Sequence, residues 1–207
     1  KEAKDIGTLQ QVLSTTSAVA GPAVSMFFPH LRAWPALYGA LVLLIDIIFL
    51  EPEVKRKKEL KVKFQELFDT QLYGLDWNFL KCGKKPDAED LVALAAKHQE
   101  KTPSTDKLLH WYPTDVGKLP IEYARFVCQR ANMRWDFSLR RKFSRFYVIG
   151  LVAMWAVGAI YGLGAGMEMA QFVLSVVVPI LPLSVKLWRD HRDQVDTAEK
   201  SERTKEY

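Results

Sequence analysis

The chain has 207 residues, 49% of them apolar and 26% charged, and a net charge of +5. That much apolar content excludes a disordered chain, and two cysteines, Cys82 and Cys128, exclude a disulfide scaffold or a Cys-rich zinc module. The average describes an ordinary soluble domain, but the charge is unevenly spread. The chain begins at Lys1 without an initiator Met, which reads as a piece of a longer protein.

No charged residue occurs between Asp5 and Arg32, and only Asp46 interrupts the apolar run from Ala33 to Leu50. Eighteen residues at the helical rise cover ~27 Å, about the thickness of a bilayer's hydrocarbon core. Residues 1–50 are therefore expected to form an N-terminal transmembrane hairpin, with spans at about 12–28 and 33–50 and a turn at Pro29-His30-Leu31-Arg32. The first span has a polar start (Gln10, Gln11, Ser14, Thr15, Thr16, Ser17), which suits either a cytosolic helix end or a helix facing water inside an assembled pore. Asp46 is the sharpest residue of this half. An ionisable group inside a span marks an ion path, a proton site or an interhelical partner, and its position five residues before Glu51 equally suits a structural role at the interface.

Residues 51–145 carry 20 Lys and Arg against 14 Asp and Glu, a net +6, so the excess charge of the chain is all central. Lys55, Arg56, Lys57 and Lys58 crowd the membrane exit, where basic side chains gain about 1 kcal/mol each from anionic headgroups. Phosphates of a nucleotide or nucleic acid are the competing partner for such charge, and no nucleic acid is expected here. A helix continuing the second span as a stalk is predicted from Glu53 to about Phe68. Tyr73-Gly74-Leu75-Asp76-Trp77 breaks it, and Asp87 is the expected N-cap of a short helix from Ala88 to about His98. After Thr102-Pro103-Ser104-Thr105, a further helix starts near Leu119-Pro120 and joins the third span without a break.

The second half repeats the first. Phe146 to Met167 and Met169 to Val185 are uncharged on either side of Glu168, which predicts spans at about 146–166 and 169–187 within a hairpin covering 146–188. Gly158, Gly162 and Gly166 form a small-residue stripe for close helix packing, and Pro179 and Pro182 are expected to shape or kink the last span. Residues 189–207 form a charged cytosolic tail, read equally well as disordered or as continuing helix.

Lys and Arg flank the cytosolic ends, from Lys55 to Lys63 and from Arg130 to Arg145, while the two hairpin tips hold only Arg32. Both termini and residues 51–145 are thereby placed in the cytosol. The fold class is an all-α membrane protein with four transmembrane helices in two hairpins and a helical cytosolic insert between them. The rivals are a soluble helical bundle, disfavoured by the length of the uncharged runs, and a signal peptide, disfavoured by the second span that follows at once. No catalytic signature is present: no His-Glu-x-x-His, no phosphate loop, no CxxC pair and no Gly-x-Ser-x-Gly. Neither an enzyme nor a metal protein is expected, and no cofactor.

Asp46-Ile47-Ile48-Phe49-Leu50-Glu51-Pro52, Gly83-Lys84-Lys85-Pro86-Asp87, Trp111-Tyr112-Pro113, Cys128-Gln129-Arg130-Ala131-Asn132 and Trp135-Asp136 followed by Leu139-Arg140-Arg141-Lys142 occur in this order. Together they resemble the bacterial S-4TM family, the SMODS-associating four-transmembrane pore-forming effectors. The resemblance covers nearly the whole chain. It implies a role in anti-phage defence, in which a nucleotidyltransferase makes a cyclic nucleotide signal and the effector self-assembles and breaches the bacterial inner membrane. Cyclic nucleotide thus enters as a candidate ligand and a cyclic-nucleotide synthase as a functional partner. Arg125, Gln129, Arg130, Asn132 and Asp136, on adjoining faces of one expected helix, are candidates to bind that signal or to lock the insert against neighbouring subunits. Trp111, Tyr112, Pro113, Trp135, Arg140 and Arg141 join them as motif residues, and a buried polar network is the competing reading. A small ion channel or transporter, and a non-conducting anchor that recruits a partner through its basic insert, are the alternative functions.

Overall fold

A computed structural model describes residues 2–101, 112 and 114–203. It holds only helices among the described residues: α1 (Glu2–Phe27), α2 (Ala33–Ile45), α3 (Glu51–Tyr73), α4 (Phe79–Cys82), α5 (Ala88–Lys101), α6 (Ile121–Gly164), α7 (Met169–Phe172) and α8 (Val178–Arg203). A π turn, Asp46–Leu50, joins α2 to α3, and a second, Val173–Val177, joins α7 to α8. Contacts divide the chain at Arg56/Lys57 and at Arg134/Trp135 into a flanking unit, made of both ends, and a central unit, Lys57–Arg134.

Three helical stretches are long and apolar enough to cross a membrane: Ala33–Leu72, Ile121–Gly164 and Met169–Glu199. Helix α1 has the length, at 26 residues, but Gln10, Gln11, Ser14, Thr15, Thr16, Ser17 and Ser25 keep its hydropathy below that of the others. The continuity expected at α2–α3 and along α6 is present: α3 runs past Phe68 to Tyr73, and α6 is a single helix of 44 residues from Ile121 to Gly164. Helix α5 likewise extends past His98 to Lys101. Helix α8 continues to Arg203, so helix prevails over disorder through that part of the tail. Alternating Glu, Lys, Arg and Gln are good helix formers and carry the helix beyond its apolar stretch.

In the flanking unit α1, α2 and α8 pack on one another. The buried positions of α1 are Gln10, Ser14, Ser17, Gly21 and Ser25, and those of α2 are Pro35, Ala36, Gly39 and Val42, each set on one helical face. Small residues allow close approach: a Cβ on Gly39 would lie 2.9 Å from the Val178 carbonyl oxygen and 3.0 Å from Pro179 Cα, and one on Gly21 would collide with the Pro179 ring. Gly158 and Gly162 of α6 meet Val176 and Phe172 as closely, whereas a Cβ on Gly166 would meet nothing within 4 Å, and that residue sits in the turn at φ +58°. The three glycines thus divide: two serve helix packing, and the third supplies the left-handed residue of the Gly164–Glu168 turn.

In the central unit α3 ends on Gly74, at φ +66°, with the Leu75 N–H bonded to the Thr70 carbonyl at 3.0 Å, a glycine stop that satisfies the last turn. The following loop wraps the buried Trp77, whose indole N–H donates to the Gly83 carbonyl at 2.8 Å, while Lys85 Nζ lies 5.8 Å from its ring. Asp87 accepts the Leu91 N–H through its carbonyl, and its carboxylate pairs with Lys84 at 3.1 Å.

Candidate functional site

Asp46 is on the same face of its helix as Gly39 and Val42, and it opens the π turn, an irregularity that concentrates at functional positions. It is 2% exposed. Its Oδ1 accepts a hydrogen bond from Gln10 Nε2 at 2.7 Å, and its Oδ2 meets Arg189 Nη1 at 2.6 Å. The same guanidinium nitrogen reaches Glu51 Oε2 at 3.3 Å. One carboxylate therefore ties α1 to α8, residues 36 and 143 positions away in sequence. A carboxylate buried without a partner would be prohibitive, and here both oxygens are satisfied by charge-assisted bonds. Arg189, 27% exposed, keeps part of its guanidinium at the surface.

A polar row runs from this cluster along α1. Ser14 and Ser17 are buried next, and the Ser17 hydroxyl donates to the Pro179 carbonyl at 2.8 Å. Ser25 lies further along the same face, 1% exposed, and Ser175 is in the π turn that packs against α1; both hydroxyls are buried without a partner. The opposite face of α1 exposes Leu9, Val12, Val19, Met26 and Phe27. The helix is inside-out relative to a water-soluble one, with polar side chains inward and apolar ones outward.

Helices α6 and α8 are joined by a second set of polar contacts. Trp155 Nε1 donates to Ser184 Oγ at 3.0 Å, and that hydroxyl donates to the Ile180 carbonyl. His191 Nδ1 lies 3.0 Å from the Ser144 hydroxyl and 3.1 Å from its carbonyl. Arg140 bridges Asp136 (2.6 Å) and Gln194 (3.2 Å). Next to them a cleft of about 400 Å³ is lined by Arg141, Ser144, Arg145, Gln194 and Glu199 among others.

The residues grouped by motif do not gather in one place. Asp136 and Arg140 belong to the α6–α8 contact and Arg141 to the cleft. In the central unit, Arg125 Nη2 donates to the Leu72 carbonyl at 3.0 Å, and Asn132 Nδ2 donates to the Tyr112 hydroxyl at 2.5 Å. Gln129, Arg130 and Trp135 are exposed. Trp111 and Pro113 lie outside the described residues. At the membrane exit, Lys55 pairs with Glu51 (3.7 Å) and Arg56 with Glu53 (2.8 Å), both bases remaining largely exposed; Lys58 is exposed and Lys57 half-buried. Bonding to Glu53, followed by its charge, raises the Arg56 pKa above the ordinary arginine value.

Arg189 and the Asp46-facing role of Gln10 escape a reading by motif. A signal for them exists: a lone buried carboxylate near the end of one apolar run requires a donor at the same depth on another helix, and Arg189 is the first arginine after the last apolar run. Trp77 also escapes it, standing in a loop with no periodicity around it.

Over residues 1–207 the chain matches the family described as the SMODS-associating 4TM effector domain. A Bacillus cereus (strain VD146) protein named as a probable CBASS effector molecule is 26% identical over 157 residues, 73% of this chain and 50% of that protein. The chain thus spans about half the length of the curated relative that it matches. No solved structure matches it at a significant level.

Proposed function

The chain belongs to the SMODS-associating 4TM effector domain family, and from that premise we propose that it is a membrane-embedded, self-assembling pore-forming effector of anti-phage defence. It acts at the bacterial inner membrane, with α1 as a fourth span beside the three more apolar helices, arranged as two hairpins. Both termini and the basic residues 51–145 face the cytosol. The functional link is to a synthase of cyclic nucleotides, in keeping with the name of the Bacillus cereus relative.

One observation carries this reading: the inverted polarity of the α1, α2 and α8 package. Gln10, Ser14, Ser17, Ser25 and Asp46 are buried, while Leu9, Val12, Val19, Leu41, Leu44, Ile48 and Phe49 are exposed. In water this arrangement would expose a large apolar surface while desolvating a carboxylate. In a bilayer the exposed side chains meet hydrocarbon, and the polar groups satisfy one another inside. Membrane insertion of α1 follows from the same argument, despite its lower hydropathy, because its outward face is apolar.

The test is dye release from liposomes containing the purified chain, across a range of protein densities, with and without a panel of cyclic nucleotides. Leakage rising steeply with protein density is the expected result, and dependence on one nucleotide would locate a sensor within these residues. Tight liposomes with inserted protein under every condition would reject pore formation by this chain and favour the anchor reading. Selective currents at low density without dye release would favour a small channel.

A further inference from the structure

We propose that the buried polar row of α1 is the conducting surface of the open state. In this structure it is sealed by α8 and the preceding π turn, and it is held shut at its cytosolic end by the Asp46–Arg189 pair. The proposal rests on the pore reading and adds to it the path, the closure and a preference for cations among the solutes that pass.

Gln10, Ser14, Ser17 and Ser25 recur at intervals of four, three and eight residues, all on one helical face. From the first to the last they cover ~22 Å at the helical rise, most of a hydrocarbon core of ~30 Å. Gln10 and Ser17 have partners in the sealed state, but packing there does not explain the whole row. Ser25 and Ser175, 1% and 0% exposed, have hydroxyls with no partner, and alanine would fill the same space without an unsatisfied group. A row of hydroxyls spanning a membrane, partly unsatisfied when dry, becomes satisfied when water enters.

The sealing element is suited to withdrawal. The Pro179 ring lies against Gly21, and its carbonyl takes the Ser17 hydroxyl. Pro179 and Pro182 lack the N–H groups that would close the Ser175 and Val178 carbonyl bonds of a regular helix, directly after the π turn. The backbone thus lacks two regular helix donors where it covers the row. At the cytosolic end Arg189 pairs with Asp46 and Glu51. When Arg189 leaves with α8, Asp46 loses its cation and Glu51 keeps Lys55 at 3.7 Å, so Asp46 leaves a ring of negative charge at the mouth once several chains assemble, and such rings favour cations.

Single cysteines at Ser14, Ser17 and Ser25, in a chain whose Cys82 and Cys128 have been replaced by serine, test the path directly. A charged methanethiosulfonate reagent is applied to proteoliposomes at a leak-giving density and at a density that gives no leak. Val12→Cys and Val19→Cys, on the exposed face, are the controls. Modification at the row positions should be ~10-fold faster in the leaking state, since the reagent reaches only ionised, water-exposed thiols, and should block the leak; the two controls should not change. Cation-over-anion preference should fall in Asp46→Asn, and the cysteine series stands if that variant does not fold. Leakage with the row protected, or with the controls modified equally, overturns the path while leaving the pore reading intact. Absence of leakage under every condition overturns both.

Discussion

The flanking and central units solve opposite problems. In the flanking unit α1, α2 and α8 enclose polar side chains and turn apolar ones outward, and the contacts that define it link residues far apart in sequence. In the central unit the described bonds are short-range around Trp77 and Gly74, with Arg125 to Leu72 and Asn132 to Tyr112 as longer ties. In the bilayer setting proposed above, hydrocarbon would remove the penalty for outward apolar groups and sharply raise it for any unpaired charge, so polar specificity and close packing would hold the flanking unit. The central unit keeps its charges at the surface beside exposed apolar side chains such as Phe79, Leu80 and Phe126.

The contrast breaks most readily at Asp46. Arg189→Leu alone should destabilise the protein in detergent by about 3–5 kcal/mol, because it leaves the Asp46 charge buried and unpaired; Asp46→Leu should cost less, since Arg189 keeps Glu51 and part of its exposure. The double variant Asp46→Leu/Arg189→Leu should recover much of the loss, as a double-mutant cycle on thermal unfolding will show; equal loss in single and double variants would deny the pair its role. Next, Gly39→Val should destabilise by about 1–3 kcal/mol, since the Val178 carbonyl and Pro179 leave no space for a side chain. Gly150→Ala, where nothing lies within 4 Å, should be neutral or slightly stabilising in the same assay.

In the central unit, Trp77→Phe keeps the ring but removes the bond to Gly83, and should cost about 1 kcal/mol in chemical unfolding followed by a probe in that unit. The smallest effect is at Asp69, in the charged part of α3 beyond the apolar residues 33–50. Burial raises its pKa above the ordinary carboxylate value, so the folded state holds the proton more tightly than the unfolded one. Stability from this group is therefore greatest below the unfolded pKa and is lost as pH rises through the folded one. Asp69→Asn should flatten that decline and leave the protein slightly more stable at neutral pH. A steeper decline in the variant would reverse the assignment.

Much of the fold is legible in the chain. The uncharged run of α2, the basic stretch of α3 and the Leu119-Pro120 start of α6 disclose helices because their determinants are local: apolar length, helix-forming residues and a proline, which falls just before the first turn rather than within it. Helix ends were less legible, since α3 and α5 run on through polar sequence that propensity supports and periodicity does not mark. Gly166 shows the limit of a spacing rule: it shares the interval of Gly158 and Gly162, but the helix has ended before it. The motif residues from Arg125 to Asp136 fall on one helix as expected, yet their partners divide between the two units, because a partner is chosen by what packs opposite.

The amino-acid sequence by itself determined that the protein is helical, that its apolar segments suit a bilayer and that Asp46 stands out among them, because length, charge and propensity act within a few residues. Only the tertiary structure decided that Asp46 is paired with Arg189 and Gln10, that Ser17 bonds the carbonyl of Pro179, and that Ser25 and Ser175 are left without partners. Those outcomes depend on which helix faces meet and how closely glycine and proline let the backbones approach, and no local rule contains that information.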